Sequence, residues 1–216
     1  MPVKPPRRTR ERILATSLAL FNRAGEPHVT TADIADEMNI SPGNLYYHFR
    51  NKDDIIGELY AAHEAEMARL LDVPQGAPVS VEDFWLLLHL LFERMGDYRF
   101  FYRDLDEIAS RNRRIAQRFA AHLRAREAAF ATLADGLAGA GAMHASPEER
   151  RALARNIVLI ATYWMSFQRL RRGPPGAGGE APPDPGEAAW QILALVAPFL
   201  AGDARRLFDK LSADYL

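Results

Sequence analysis

Residues 29–56 read VTTADIADEMNISPGNLYYHFRNKDDII, and this stretch decides the fold. Thr30 stands at a helix N-cap position, Asp33 follows three residues later as a capping-box acid, and Val29 with Ile34 makes a hydrophobic staple. That helix ends near Met38, where Asn39 tolerates a left-handed turn. Ser41 then caps, and Pro42 takes the first position of a second short helix. Leu45 and Phe49, four residues apart, face inward, which leaves Gly43, Asn44, Tyr46, Tyr47 and His48 on exposed faces. Asn51 caps a longer helix striped by Ile55, Ile56, Leu59, Tyr60, His63, Met67 and Leu70. Two short helices joined through Asn39-Ile40-Ser41 and preceded by a longer one form a helix-turn-helix whose second helix is the reader.

Outward from this motif the apolar residues keep helical spacing, and no segment shows a sustained period of two. The first helix is expected from about Thr9 to Ala24, with Leu14, Leu18 and Phe21 on one face and Gly25 ending it. Ser80 with Asp83 opens a helix carrying Phe84, Trp85, Leu88, Leu91, Phe92 and Met95. A further segment holds Tyr98, Phe101, Leu105 and Ile108, and a long one holds Ile115, Phe119, Leu123, Phe130, Leu133 and Leu137. Ser146-Pro147-Glu148-Glu149 starts a helix to about Arg171 that is apolar nearly all round and is expected to be buried on more than one side. Residues 173–186 hold five Gly and five Pro, which reads as a linker over 172–185. A last major helix carries Trp190, Leu193, Val196 and Leu200, and a short one follows around Leu207, Phe208 and Leu211. The expected fold class is all-α: residues 1–52 as a basic arm and helix-turn-helix domain, residues 53–216 as a larger helical domain.

The 216 residues are 48% hydrophobic, too many for a disordered chain. The net charge of −1 hides a division, because residues 1–52 hold eight Lys/Arg against five acids while the remainder holds 19 against 23. A basic head on an acidic body suits a protein that meets phosphates at one end. Zero cysteines exclude disulfides, thiolate metal sites and a cysteine nucleophile, and agree with a reducing, cytoplasmic location. No apolar stretch reaches the length of a membrane span, and the N-terminus lacks the apolar segment of a signal peptide. The six histidines show no metal-ligand spacing and no nucleophile elbow is present, so neither metal, cofactor nor catalysis is expected.

Exposed tyrosines on a seven-residue helix have no folding rationale. Asn44 suits a base edge, tyrosine hydroxyls and the His48 imidazole suit phosphate oxygens, and Gly43 permits close backbone approach. Lys52 adds its charge to a helix N-terminus, and Arg7, Arg8, Arg10 and Arg12 form an arm able to follow the backbone or enter a minor groove. The strings Val29 to Ala35, Ser41 to Phe49 and Lys52 to Ile55 resemble the DNA-binding signature of TetR-family transcriptional regulators over roughly residues 9–60. Asn39 stands where that family often has Gly. The resemblance implies a homodimer on a palindromic operator, usually a repressor, released by a small molecule in the C-terminal domain. It places Thr31, Tyr46, His48 and Lys52 at phosphate-contacting positions, and Asn44 and Tyr47 where bases or nearby backbone are met.

Two further sets of residues are expected from side-chain chemistry taken with what the resemblance implies. Trp85, His89, Phe92, Phe101, Tyr102, Phe119, His122, Tyr163 and Phe167 combine aromatic walls with polar tips, the make-up of a small-molecule pocket. Arg103, Arg126, Asp104 and Glu107 fit either a pocket wall or a solvated face. Ile157, Ile160, Trp164, Trp190, Leu193 and Val196 lie on the most apolar helices and are expected at a dimer interface, two helices per subunit forming a bundle. The alternative is a DNA-bound adaptor whose acidic body binds a protein partner.

Overall fold

Pro6 is the first residue of α1 (Pro6–Ala24), where its fixed φ suits the helix and its missing N–H costs nothing. The computed structural model describes residues 6–74, 76, 79–172 and 185–212; residues 173–184, the body of the expected linker, lie outside them, as do residues 1–5 with Lys4. Arg8, Arg10 and Arg12 therefore sit on a helix, which begins earlier than its apolar spacing suggests, and not on an extended arm. Gly25 ends α1 at φ 96°, and a Cβ there would crowd His28 at 3.3 Å and the Arg103 guanidinium at 3.4 Å.

A 3-10 turn at Glu26–His28 leads to α2 (Thr31–Glu37), α3 (Pro42–His48) and α4 (Lys52–Leu70). Then come α5 (Val81–Asp97), α6 (Arg99–Arg103), α7 (Leu105–Arg111), α8 (Arg113–Gly139), α9 (Pro147–Arg172), α10 (Pro185–Val196) and α11 (Gly202–Ser212). The fold is all-α: among the described residues there is no strand, only an isolated bridge between Met143 and Leu200.

Local caps start these helices as their sequence spacing requires. The Thr30 hydroxyl accepts from Asp33 N–H at 3.2 Å while Asp33 Oδ2 accepts from Thr30 N–H at 2.8 Å. Ser80 with Asp83 and Ser146 with Glu149 repeat this reciprocal box. Ser41 Oγ accepts from Asn44 N–H at 3.2 Å, and Asn51 Oδ1 from Asp54 N–H at 2.8 Å. Asn39 takes φ 53° between α2 and α3. The expected single segment through Tyr98 and Ile108 is instead two helices broken at Asp104, where Arg103 bonds Phe21 in the last turn of α1 and Asp104 bonds Glu26 in the turn that follows it.

Packing divides the chain into two compact units. The first runs to Ala65 and takes in Tyr98–Arg118; the second comprises Glu66–Asp97 and the chain from Phe119 on. This division differs from a boundary at residue 52, since α6, α7 and the first turns of α8 belong with the helix-turn-helix. In the first unit Ile13, Phe21, Ile34, Leu45, Ile55 and Tyr60 are fully buried, with Phe21 and Phe100 rings 5.2 Å apart. In the second, α10 packs on α5 and α9, α11 packs on α5, and Phe84 meets Phe130 at 6.0 Å. Within the chain the α9 helix is covered on one side, so a second covered side is not supplied by the chain itself: Leu153, Ile157 and Val158 are buried, while Leu159, Tyr163, Phe167 and Leu170 are exposed.

Two outcomes follow. Ser41→Ala removes the α3 cap and lowers unfolding stability by about 1 kcal/mol, measured by urea titration. Thr30 N–H, then the Thr30 hydroxyl, hold the Asp33 carboxyl below its ordinary value, and Ser80 does the same to Asp83. These boxes contribute fully above the unfolded carboxylate range, near pH 4, and their contribution is lost as pH falls through the lowered folded values. A pH series of melting temperatures shows a decline that begins below about pH 4 and is shallower in Asp33→Asn.

Candidate nucleic-acid interface

The reading helix α3 presents to solvent what its core does not use. Leu45 and Phe49 are buried, whereas Tyr47 is 81% and Tyr46 51% exposed, and Gly43 and Asn44 are exposed beside them. Tyr47 and His48 rings meet edge-on at 5.1 Å, and the Tyr46 hydroxyl bonds Thr31 Oγ1 at 3.0 Å, tying α3 to the start of α2. Thr31 and Tyr46 thus link α2 to α3, and Gly43, Asn44, Tyr46 and Tyr47 are exposed on α3, with His48 partly so. Gly43 has a negative φ, and a Cβ there would meet only Ser41 Oγ at 4.0 Å, so the chain itself has no need of glycine at this position.

Lys52 stands differently from its expected role. Its Nζ donates to Glu26 O at 3.0 Å and Val29 O at 2.9 Å and pairs with Glu26 Oε1 at 2.8 Å. Two carbonyls and one carboxylate inside the protein thus hold the Lys52 ammonium, a structural place that corrects its reading as a phosphate contact. Glu26 is fully buried, and Arg111 at the end of α7 reaches the same Oε1 at 2.5 Å. Burial opposes the Arg111 charge, but hydrogen bonding and attraction from Glu26, then from Asp53, outweigh it and hold the guanidinium above its ordinary value. Asp104 Oδ2 accepts Glu26 N–H at 3.0 Å, and Arg103 Nη2 donates to Phe21 O at 2.6 Å. A polar clamp thereby joins the end of α1, the start of α4 and the α6–α7 segment. The pairs that join these elements are 23 to 85 positions apart, a separation that no local spacing reveals. Arg8 is exposed, as expected of a backbone contact. Arg10 is instead paired with Glu58 and lies over the Phe49 ring at 4.6 Å.

The nine residues expected around a small molecule are divided between the two units. Phe101 and Tyr102 are buried in the first unit, where the Tyr102 hydroxyl bonds His63 Nε2 at 2.7 Å. In the second unit Trp85 stacks on His89 at 5.4 Å, but His89 is exposed. Phe92 is buried, and Phe119 lies 6.0 Å from His122. Tyr163 and Phe167 face outward, a correction to their place in a pocket. Two clefts within this unit, of about 490 and 240 Å³, are lined by none of the nine. Sequence reading left Arg126 open; it is fully buried one turn beyond His122 on α8 and forms no solvated face. Thr162 and Gln168 on α9 are buried polar residues that no sequence signal marked.

Of the expected interface residues, Ile157, Leu193 and Val196 belong to the chain's own core. They are corrected accordingly, because a helix pattern shows which residues are apolar but not which face a neighbour covers. Ile160, Trp164 and Trp190 are half-buried. Leu159, Tyr163, Phe167 and Leu170 continue beside them as an exposed stripe along α9.

Comparison with known proteins agrees with this arrangement. Residues 13–59 match the family described as bacterial regulatory proteins, tetR family, and residues 62–208 match a bacterial transcriptional repressor family, TetR. The probable acrEF/envCD operon repressor of Escherichia coli (strain K12) is 36% identical over 53 residues, which span 24% of each chain. The match to the curated relatives thus covers about a quarter of their length. A TetR-family transcriptional regulator from Marinobacter aquaeolei VT8 is 36% identical over 96% of this chain and 98% of that one, with a TM-score of 0.83. The ketosteroid transcriptional regulator KstR2 of Mycobacterium tuberculosis shares the fold at 17% identity, covering 93% and 98% of the two chains with a TM-score of 0.63.

Glu26→Gln leaves Lys52 and Arg111 without their shared counter-charge and costs about 3 kcal/mol of stability in chemical unfolding. Gly43→Ala keeps or raises stability, by at most about 1 kcal/mol, since alanine is the better helix former.

Proposed function

Since the chain belongs to the TetR family of bacterial transcriptional regulators, we propose that it acts as a homodimeric repressor, held on a palindromic operator until a small molecule binds its C-terminal domain. It is a DNA-binding transcription factor and not an enzyme. The observation that carries the proposal is the α2–α3 surface, where Asn44 and Tyr47 stand out to solvent with no packing role. Asn44 reads a base edge in the major groove, and Tyr47 meets bases or adjacent backbone. Thr31, Tyr46 and His48 hold phosphates, with Arg8 contributing charge from α1. Gly43 allows the α3 backbone to approach the duplex closely. Residues 1–52 carry this contact and residues 53–216 carry sensing and assembly, in the cytoplasm; among the described residues no helix is long and apolar enough to cross a membrane.

Dimerisation is supported by the exposed stripe Leu159, Tyr163, Phe167 and Leu170, with Ile160, Trp164 and Trp190 at its border. Such a stripe is unfavourable in water, and a second copy of the same helices buries it. Sensing is supported by the buried polar groups of the second unit, among them His122, Arg126 and Thr162, which give its interior the mixed character of a ligand site. Within the first unit the clamp through Arg103, Asp104 and Arg111 ties the α6–α7 segment to the residues that precede the helix-turn-helix, so a shift of that segment is a route to release.

Asn44→Ala lowers operator affinity by about tenfold or more and random-duplex affinity far less, measured by competition binding. Equal losses on both DNAs contradict a base-reading role. Phe167→Asp with Leu170→Asp yields a monomer in size-exclusion chromatography with light scattering and removes tight operator binding; a variant that stays dimeric contradicts this interface.

A further inference from the structure

The first unit contains a cleft of about 520 Å³ that the helix-turn-helix motif does not include. One wall is the turn after α3, from His48 to Asn51; the others are a face of α4 and the first turns of α8. Four guanidinium groups line it, those of Arg10, Arg50, Arg114 and Arg118, against the three carboxylates of Asp53, Asp54 and Glu58. Each carboxylate is already engaged. Glu58 pairs with Arg10, Asp53 lies 3.4 Å from Arg111, and Asp54 accepts the Arg50 backbone N–H at 3.2 Å. Arg118 is likewise committed, to Glu64 at 2.5 Å, and the Glu64 hydrogen bond holds its guanidinium above the ordinary value. Arg50 and Arg114 remain exposed, with neither guanidinium in an ion pair or hydrogen bond among the described residues.

We propose that the cleft beside α3 is a further phosphate-binding site, in which Arg50 and Arg114 hold the DNA backbone as it leaves the reading helix. Arg114 belongs to α8, beyond the residues matched by the N-terminal family, so the site extends the contact surface past the helix-turn-helix. Three features favour a backbone phosphate. The cleft opens directly from His48, the last residue of α3, so it is continuous with the proposed contact surface. Both α4 and α8 begin among the lining residues, at Asn51, Asp53 and Asp54 and at Asn112, Arg114 and Ile115, so the positive ends of both helix dipoles border the cleft. The two arginines stand in solvent, which suits an edge of a long polyanion better than an enclosed small molecule.

The inference rests on the DNA-binding reading, and one experiment separates the two. Fluorescence anisotropy with operator and random duplexes is run from about 50 to 300 mM salt. One phosphate lost per protomer lowers the slope of log affinity against log salt by about 0.9, or about 1.8 for a dimer. Arg114→Ala and Arg50→Ala are each expected to show that reduction, with equal loss on both DNAs, while Arg114→Lys restores most of it. Arg113→Ala is the control, exposed on the same turn but outside the cleft, and is expected to keep the wild-type slope. Thermal melts confirm that each variant is folded. An unchanged slope in Arg114→Ala, or an equal reduction in Arg113→Ala, overturns the site and leaves the functional reading intact. Sub-millimolar binding of inorganic phosphate that Arg114→Ala abolishes without altering the DNA slope also overturns it, in favour of a free-anion site. Failure of the wild-type protein to bind any duplex overturns the functional reading itself.

Discussion

One fully buried carboxylate organises the DNA-binding end of this protein. Glu26 sits where α1 gives way to the helix-turn-helix, and a carboxylate withdrawn from water is tolerated only when paired and hydrogen-bonded. Lys52 from the first turn of α4 and Arg111 from the last turn of α7 supply the charges, and Asp104 takes the Glu26 backbone N–H. The three elements are thereby pinned to a single point. The turn that launches α2 and α3 inherits its position from that point, since Lys52 also holds the Val29 carbonyl one residue before the α2 cap.

This constraint explains the distribution of labour on the surface above it. With Lys52 spent on Glu26, and Arg10 on Glu58, two of the obvious cations serve the fold rather than a ligand. In the proposed contact, the groups that meet DNA are the neutral or weakly basic ones of α2 and α3, together with Arg8, Arg50 and Arg114, whose charges stand in solvent. Positioning and recognition thus fall to different residues. The same clamp makes the α6–α7 segment part of the DNA-binding unit, although it follows the motif by some fifty residues.

What could be read in the sequence is what depends on near neighbours. Thr30 with Asp33, Ser41 with Asn44, Ser80 with Asp83 and Ser146 with Glu149 each span three residues, and all four caps form. The core positions Leu45 and Phe49 follow from the same short-range logic, and so does the exposure of Tyr47. What could not be read depends on contacts far apart in the chain. Lys52 looks like a phosphate ligand until Glu26 is found beneath it, and the Tyr98–Ile108 segment looks continuous until Arg103 and Asp104 are seen to turn toward α1. Helix α9 shows the third kind of failure: its apolar pattern was correct, but the covered face carries Ile157 while Tyr163 and Phe167, expected in a pocket, lie on the open one.

The most direct test of the account is selection of bound sequences by the purified wild-type protein from a pool of random duplexes. The account predicts enrichment of a palindrome whose half-sites lie about one helical turn apart, or a multiple of it, as two copies of α3 related by a two-fold axis require. Enrichment of a single asymmetric site, or no enrichment over the starting pool, would contradict it.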